Sequence, residues 1–181
     1  RFTLSIRTKT LALQHCASLF FHRDAHAEVV KICRSLLGER LVGLKQVWIN
    51  ARLMLADSLL MLDQVNEAYE AIRPVYDTKL SLADRMKLLP IQLRYELAAG
   101  YPTAALQNLP EKLQMAELLE SPRAALVHAL LAEACRRNHM PELEAYLARR
   151  AWLYHDLDSV ASRYPVIAPI ASMPLGPATS K

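Results

Sequence analysis

Apolar side chains return at helical spacing almost without interruption from residue 4 to residue 163, and short turns break the pattern at near-regular intervals. The turns fall near His22, Asp63, Gly100 and Asn138, which lie 41, 37 and 38 residues apart. Helices joined by turns this short are antiparallel neighbours. A two-helix unit that recurs at this length marks a helical array. Composition agrees where it is needed: Leu and Ala, both strong helix formers, fill 58 of 181 positions, and only 4 are Gly. Sandwiches, barrels and nucleotide folds built on Gly-rich turns are disfavoured.

The pattern resolves into segments. Residues 4–21 form the first helix, and Asp24 is placed to cap a second carrying Val29, Val30, Cys33, Leu36 and Leu37. Gly38 is placed to end it. Helices follow over 44–62 and 65–79, the latter bent or shortened at Pro74. Ser81 and Asp84 form a capping-box pattern before a helix with Met86, Leu89, Leu93 and Leu97, kinked at Pro90 and closed at Gly100. Pro102, Pro122 and Pro141 stand where helices begin, with Ser121 as a cap for 122–137. Pro110 divides 102–120, and the last long helix spans 141–163. From Pro165 the stretch PVIAPIASMPLGPATSK holds four Pro and one Gly and reads as an extended tail. The expected organisation is a helical-repeat domain over 1–164 and a Pro-rich tail over 165–181.

Residues 49–80 are the best-formed unit. Leu55 and Ala56 sit in its first helix with Leu59 after them, Asp63 in the turn, Ala68 early in the second helix and Ile72 four later. Small residues at such places let two helices approach while large neighbours fill the groove beside them. This unit resembles the tetratricopeptide repeat family, with Asp63 where Gly is usual. Gly100 and Ala105 fit in the third unit. Leu130, Leu131, Leu143 and Leu147 around Asn138 fit in outline, and the first unit offers Ala25 or Ala27. The resemblance implies an all-α superhelix, a solenoid of about four antiparallel helix pairs. It also implies a non-enzymatic scaffold that binds a partner segment in a concave groove, as part of a larger protein or complex. The groove residues implied are Asn50, Leu53, Asp57, Leu60 and Met61, then Lys87, Arg94 and Leu97, then His128, Ala132, Cys135 and Arg136. Leu53 and Asp57 replace the Lys/Asn pair with which some members clamp a C-terminal carboxylate, so that mode is not expected.

The net charge is +4, concentrated in residues 1–50, and the first 23 residues contain no Asp or Glu. The ordinary reading of such a charge is solubility; the alternatives are nucleic-acid binding and an organelle presequence. No apolar run reaches the ~20 residues of a membrane span, so a soluble, cytoplasmic protein is expected, with organelle import as the alternative. Three scattered cysteines give no disulfide framework; the alternative is a single bridge between Cys16 and Cys33, should facing helices of one hairpin carry them.

Catalytic and metal signatures are missing from the sequence: it has no phosphate loop, no Gly-x-Ser-x-Gly, no His-Glu-x-x-His and no Cys-x-x-Cys. His15, Cys16, His22, His26 and Cys33 form the nearest approach to a ligand set, with His22 and His26 at helical spacing. Glu67/Glu70, Glu142/Glu144 and Asp156/Asp158 read as solvated carboxylates. Arg136, Arg137, Arg149 and Arg150, with Tyr146, Trp152 and Tyr154, have three readings. They stack on single-stranded RNA, hold an acidic partner, or give the terminal repeat its polar face. No cofactor is expected. The expected partner is a protein or peptide with some acidic character; an RNA-binding helical repeat is the alternative.

Overall fold

Four turns of the chain close in the same way. In each, a left-handed residue follows a helix: Asp24 (φ 54°), Asp63 (φ 57°), Gly100 (φ 79°) and His139 (φ 56°). The next residue donates its N–H five residues back, Ala25 to Phe20, Gln64 to Leu59, Tyr101 to Glu96 and Met140 to Cys135, at 2.7–3.0 Å. The left-handed residue itself donates to the carbonyl three before it. This is the Schellman end, which satisfies carbonyls that a helix terminus leaves open. The residue after the left-handed one then accepts the first hydrogen bond of the next helix, from Val29, Ala68, Ala105 and Glu144 respectively. One residue therefore ends one helix and starts the next. The left-handed positions are 39, 37 and 39 residues apart, a tighter period than the sequence pattern alone suggests.

In this computed structural model the backbone is described for residues 6–39 and 44–173, and every regular element there is helical. The chain divides into two compact units, 1–84 and 85–181. Unit 1 holds α1 (Ile6–His22), α2 (His26–Gly38), α3 (Lys45–Met61) and α4 (Val65–Tyr76). Helix α2 packs on α1 and α3, α3 on α4, and α1 also touches α3. Val29, Cys33 and Leu36 from α2, Ala56 and Leu59 from α3, and Ala68, Ile72 and Val75 from α4 are all buried, at the spacing that puts them on one face of each helix.

α5 (Leu82–Ala98) crosses the boundary at Asp84. Unit 2 continues with α6 (Pro102–Ala105), α7 (Leu109–Glu117), α8 (Ser121–Arg137), α9 (Pro141–Tyr154), α10 (Leu157–Arg163), a 3-10 turn at Pro165–Ile167 and α11 (Ala168–Ala171). Its centre is α8, buried from Ala124 through Cys135. Helices α6, α7, α9, α10, the 3-10 turn and α11 all pack on it. Such a helix is necessarily Ala-rich, because only small side chains let so many neighbours approach.

Several local expectations are corrected. Residues 165–173 are not an extended tail: they form a 3-10 turn and a short helix, with Ile167 and Ile170 fully buried in the core of unit 2. Residues 174–181 of the expected tail lie outside the described residues. The stretch 141–163 is two helices, since His155 turns extended and the Asp156 carboxylate caps α10 by accepting from the Asp158 N–H. The N-cap of α2 is Ala25 and not Asp24, which is the left-handed residue of its turn. Ser121 is inside α8, and its hydroxyl donates to the Tyr154 carbonyl. Pro110 begins α7, and the break before it is made by left-handed Asn108. Pro90 lies within α5, and α4 ends at Tyr76, two residues after Pro74 and short of the expected 79. The Ser81 cap holds: its hydroxyl accepts from the Asp84 N–H at 3.1 Å. Ala68 and Ala105 are fully buried, five residues after the left-handed position, and the first unit has Val29 there in place of Ala25 or Ala27.

The turns give a direct prediction. A Cβ at positive φ costs about 1 kcal/mol, and glycine avoids it. Asp63→Gly is therefore expected to raise stability by about 0.5–1 kcal/mol, read as a higher urea midpoint at unchanged slope. A lowered midpoint would mean that the Asp63 side chain holds the turn.

Candidate functional site

Helix α3 has two faces of different character. One was expected to line a groove. There Asn50, Asp57 and Met61 reach solvent in part, as does Leu60, whereas Leu53 is only 4% exposed and has no surface to offer. Asn50 accepts from the Gln46 amide at 3.2 Å, and Gln46 also donates to Asp84 at 2.7 Å. The other face, with Trp48, Arg52, Leu55 and Leu59, was not anticipated. With α2 and α4 it bounds a cleft of about 350 Å³, floored by Leu55, Leu59 and Ala71 and rimmed by Arg34, Asn66, Glu67 and Glu70.

Pro74 explains why Arg52 stands there. A proline in α4 has no N–H for the carbonyl four residues back, that of Glu70. Arg52 supplies the donor: one guanidinium nitrogen lies 3.5 Å from the Glu70 carbonyl and 3.1 Å from that of Ala71. The same guanidinium sits 4.9 Å above the Trp48 ring, and burial pushes its pKa down. Its Nε is buried without a hydrogen-bond partner. Arg34 of α2 pairs across the cleft with Glu67 of α4. The rim therefore balances its charges over an apolar floor. That suits holding an apolar side chain.

This pairing predicts a coupling. Arg52→Met is expected to cost about 1–2 kcal/mol in the natural chain, where it leaves a helix carbonyl without a donor. In a Pro74→Ala background the helix supplies its own N–H, and the same change is expected to cost about 0.5–1 kcal/mol less. Additive effects in a denaturation double-mutant cycle would refute the account.

In unit 2 the expected groove residues separate. Lys87 is exposed and Arg136 is partly so. Arg94 is buried with its guanidinium 4.8 Å from the Tyr164 ring, and Leu97, Ala132 and Cys135 are buried. His128 is 1% exposed: its Nδ1 donates to the Ala124 carbonyl at 2.9 Å and its ring stacks on Tyr154. Burial holds its pKa down, partly offset by that hydrogen bond. Leu53, Arg94 and His128 are thus withdrawn from the set of surface residues, because each is buried.

The arginine-rich hairpin is tied up internally. Glu133 is 1% exposed, and its carboxylate accepts from Arg136 at 2.7 and 2.8 Å and from Arg137 at 2.7 Å. Burial alone would raise its pKa, but the hydrogen bonds and charges of the two arginines outweigh this and hold it below the ordinary value. Arg137 also donates to the Leu97 carbonyl at 2.7 Å, joining the ends of α5 and α8. Arg150 pairs with Glu117 at 2.8 Å. Buried Lys112 closes α6 by donating to the Ala105 carbonyl at 2.8 Å, with Glu96 3.7 Å away.

Among the described residues no three His, Cys, Asp or Glu side chains come together as metal ligands. Cys16 is exposed on α1, and Cys33 and Cys135 are buried free thiols pushed up to about 12 and about 11 by burial. His26 is buried with its Nδ1 3.4 Å from the Ser58 hydroxyl. Among the described residues no helix is long and apolar enough to cross a membrane. Comparison with protein-family models, with curated proteins and with solved structures found no match to this chain.

Proposed function

We propose that this chain is a tetratricopeptide-like array of helical hairpins that acts as a non-enzymatic binding module for a segment of another protein. The observation that carries the reading is the turn that recurs at Asp24, Asp63, Gly100 and His139 with the same hydrogen bonds and nearly the same spacing. Recurrent hairpins stacked side by side are built to present extended surface. The titratable groups that deviate support the same reading, because each is accounted for by burial or by an internal partner. The surface favoured is α3, through Asn50, Asp57 and Met61 on one side and the Arg34–Glu70 cleft on the other. RNA binding draws less support, since Arg136, Arg137 and Arg150 each hold a carboxylate of their own unit and Tyr154 is stacked on His128.

Two blocking variants test it: Asn50→Arg/Asp57→Arg on one side of α3, and Asn66→Arg/Glu70→Arg at the cleft rim. Proteins that co-purify with the natural chain are expected to be lost from one variant and kept by the other, with circular dichroism unchanged in both. If both keep the full set, α3 is not the binding surface. Retarded migration of labelled single-stranded RNA at about 150 mM salt, weakening steeply as salt rises, would instead favour the nucleic-acid alternative.

A further inference from the structure

Helix α9 turns one exposed stripe to solvent. Glu142, Tyr146, Arg149 and Leu153 recur at four, three and four residues, which stacks them along one line of the helix. Tyr146 is 49% exposed and Leu153 81%, the latter the most exposed large apolar side chain among the described residues. The stripe lies opposite the buried side of the helix, Leu147, Ala148 and Ala151, which faces α8. Arg136, Arg137 and Arg150 of this hairpin each hold a carboxylate of unit 2; no ion pair engages Arg149 or Glu142 within the chain among the described residues.

We propose that this stripe is a homodimer interface, in which α9 packs antiparallel on α9 of a second copy of the chain. Charge complementarity selects that occupant. Glu142 and Arg149 sit seven residues apart on one line, about 10 Å along the axis. A two-fold axis midway between them, beside Tyr146, brings each Glu142 opposite the partner's Arg149. A two-fold interface must be self-complementary in this way, each contact occurring twice. Tyr146 then lies at the centre against its own copy, where an aromatic ring contributes most. Leu153 is carried just past the start of the partner's α9, opposite the turn that precedes that helix, and loses water there. Both ion pairs flank an apolar centre, the usual anatomy of a specific interface. A parallel arrangement would set Arg149 against Arg149 and Glu142 against Glu142, so antiparallel packing is the one the charges allow. This inference is independent of the partner-binding reading of α3, since it concerns another surface.

Light scattering coupled to size-exclusion chromatography of the full chain tests it across a range of loading concentrations. The expected mass is twice 20.4 kDa. Glu142→Arg and Arg149→Glu each turn two attractions into two repulsions, and each is expected to raise the dissociation constant about tenfold or more. The double exchange Glu142→Arg/Arg149→Glu restores both pairs in reverse and is expected to restore the dimer. Leu153→Ser is expected to weaken association with circular dichroism unchanged, because that side chain packs on nothing in the free chain. A monomer at every concentration overturns the proposal. So does a dimer indifferent to the single exchanges, or one that the double exchange fails to restore.

Discussion

Replacing both Ile167 and Ile170 with alanine is expected to unfold unit 2 or bring it close to unfolding. Both side chains are fully buried in the cluster that α8 organises. A fully buried isoleucine truncated to alanine loses its transfer free energy and leaves a cavity, at about 2–5 kcal/mol each. Whole domains are stable by only about 5–15 kcal/mol. The pair together therefore removes a large share of the total. Urea denaturation of the full chain, followed by circular dichroism, reads this directly. Leu118→Ser is the control, since that side chain is 60% exposed and its loss should leave the midpoint in place. If the double alanine variant unfolds at the same urea concentration as the natural chain, residues 165–173 contribute nothing to the core and the described packing is wrong.

The second large effect belongs to the arginine pair on Glu133. Arg136→Met/Arg137→Met leaves a buried carboxylate without a partner, which typically costs about 3–5 kcal/mol. Either single change leaves one arginine in place and is expected to cost about 1–2 kcal/mol. The double change in a Glu133→Gln background should cost much less, because a neutral amide needs no counter-charge. Acid titration gives a second signature. The folded-state pKa of Glu133 lies below its ordinary value, so its contribution is complete above the usual carboxylate pKa of about 4.3 and drains away as pH falls through the lowered value. Glu133→Gln should flatten that limb of the stability curve. Arginines that served an external partner instead would be removable with little change in unfolding.

Much of the local architecture is written in single residues. Gly100 takes the left-handed turn, and Pro102, Pro122 and Pro141 open their helices, because these residues act through their own backbone, whereas Gly38 is the last helical residue of α2 and takes no left-handed cap. The buried stripe of α2 was legible for the same kind of reason, since a helix displays its periodicity in its own sequence. Pro74 held a further signal: a proline within a helix frees a carbonyl, and a long donor such as Arg52 is the natural answer.

What only the tertiary structure decided are matters between segments. Pro-rich 165–173 looked unfit for a helix, yet Ile167 and Ile170 are held in place by α8, and burial of two isoleucines outweighs poor local propensity. Leu53, Arg94 and His128 looked like surface because helical angle says where a side chain points but not what stands opposite. Four arginines on one hairpin looked like a site for an external anion until Glu133 and Glu117 proved to be the partners of three of them, Arg136, Arg137 and Arg150. By itself the sequence determined the helices, their turns and their period, because those depend on interactions within a few residues. Which faces stay open for another molecule depends on contacts between residues some thirty or forty positions apart, and those exist only once the helices have packed.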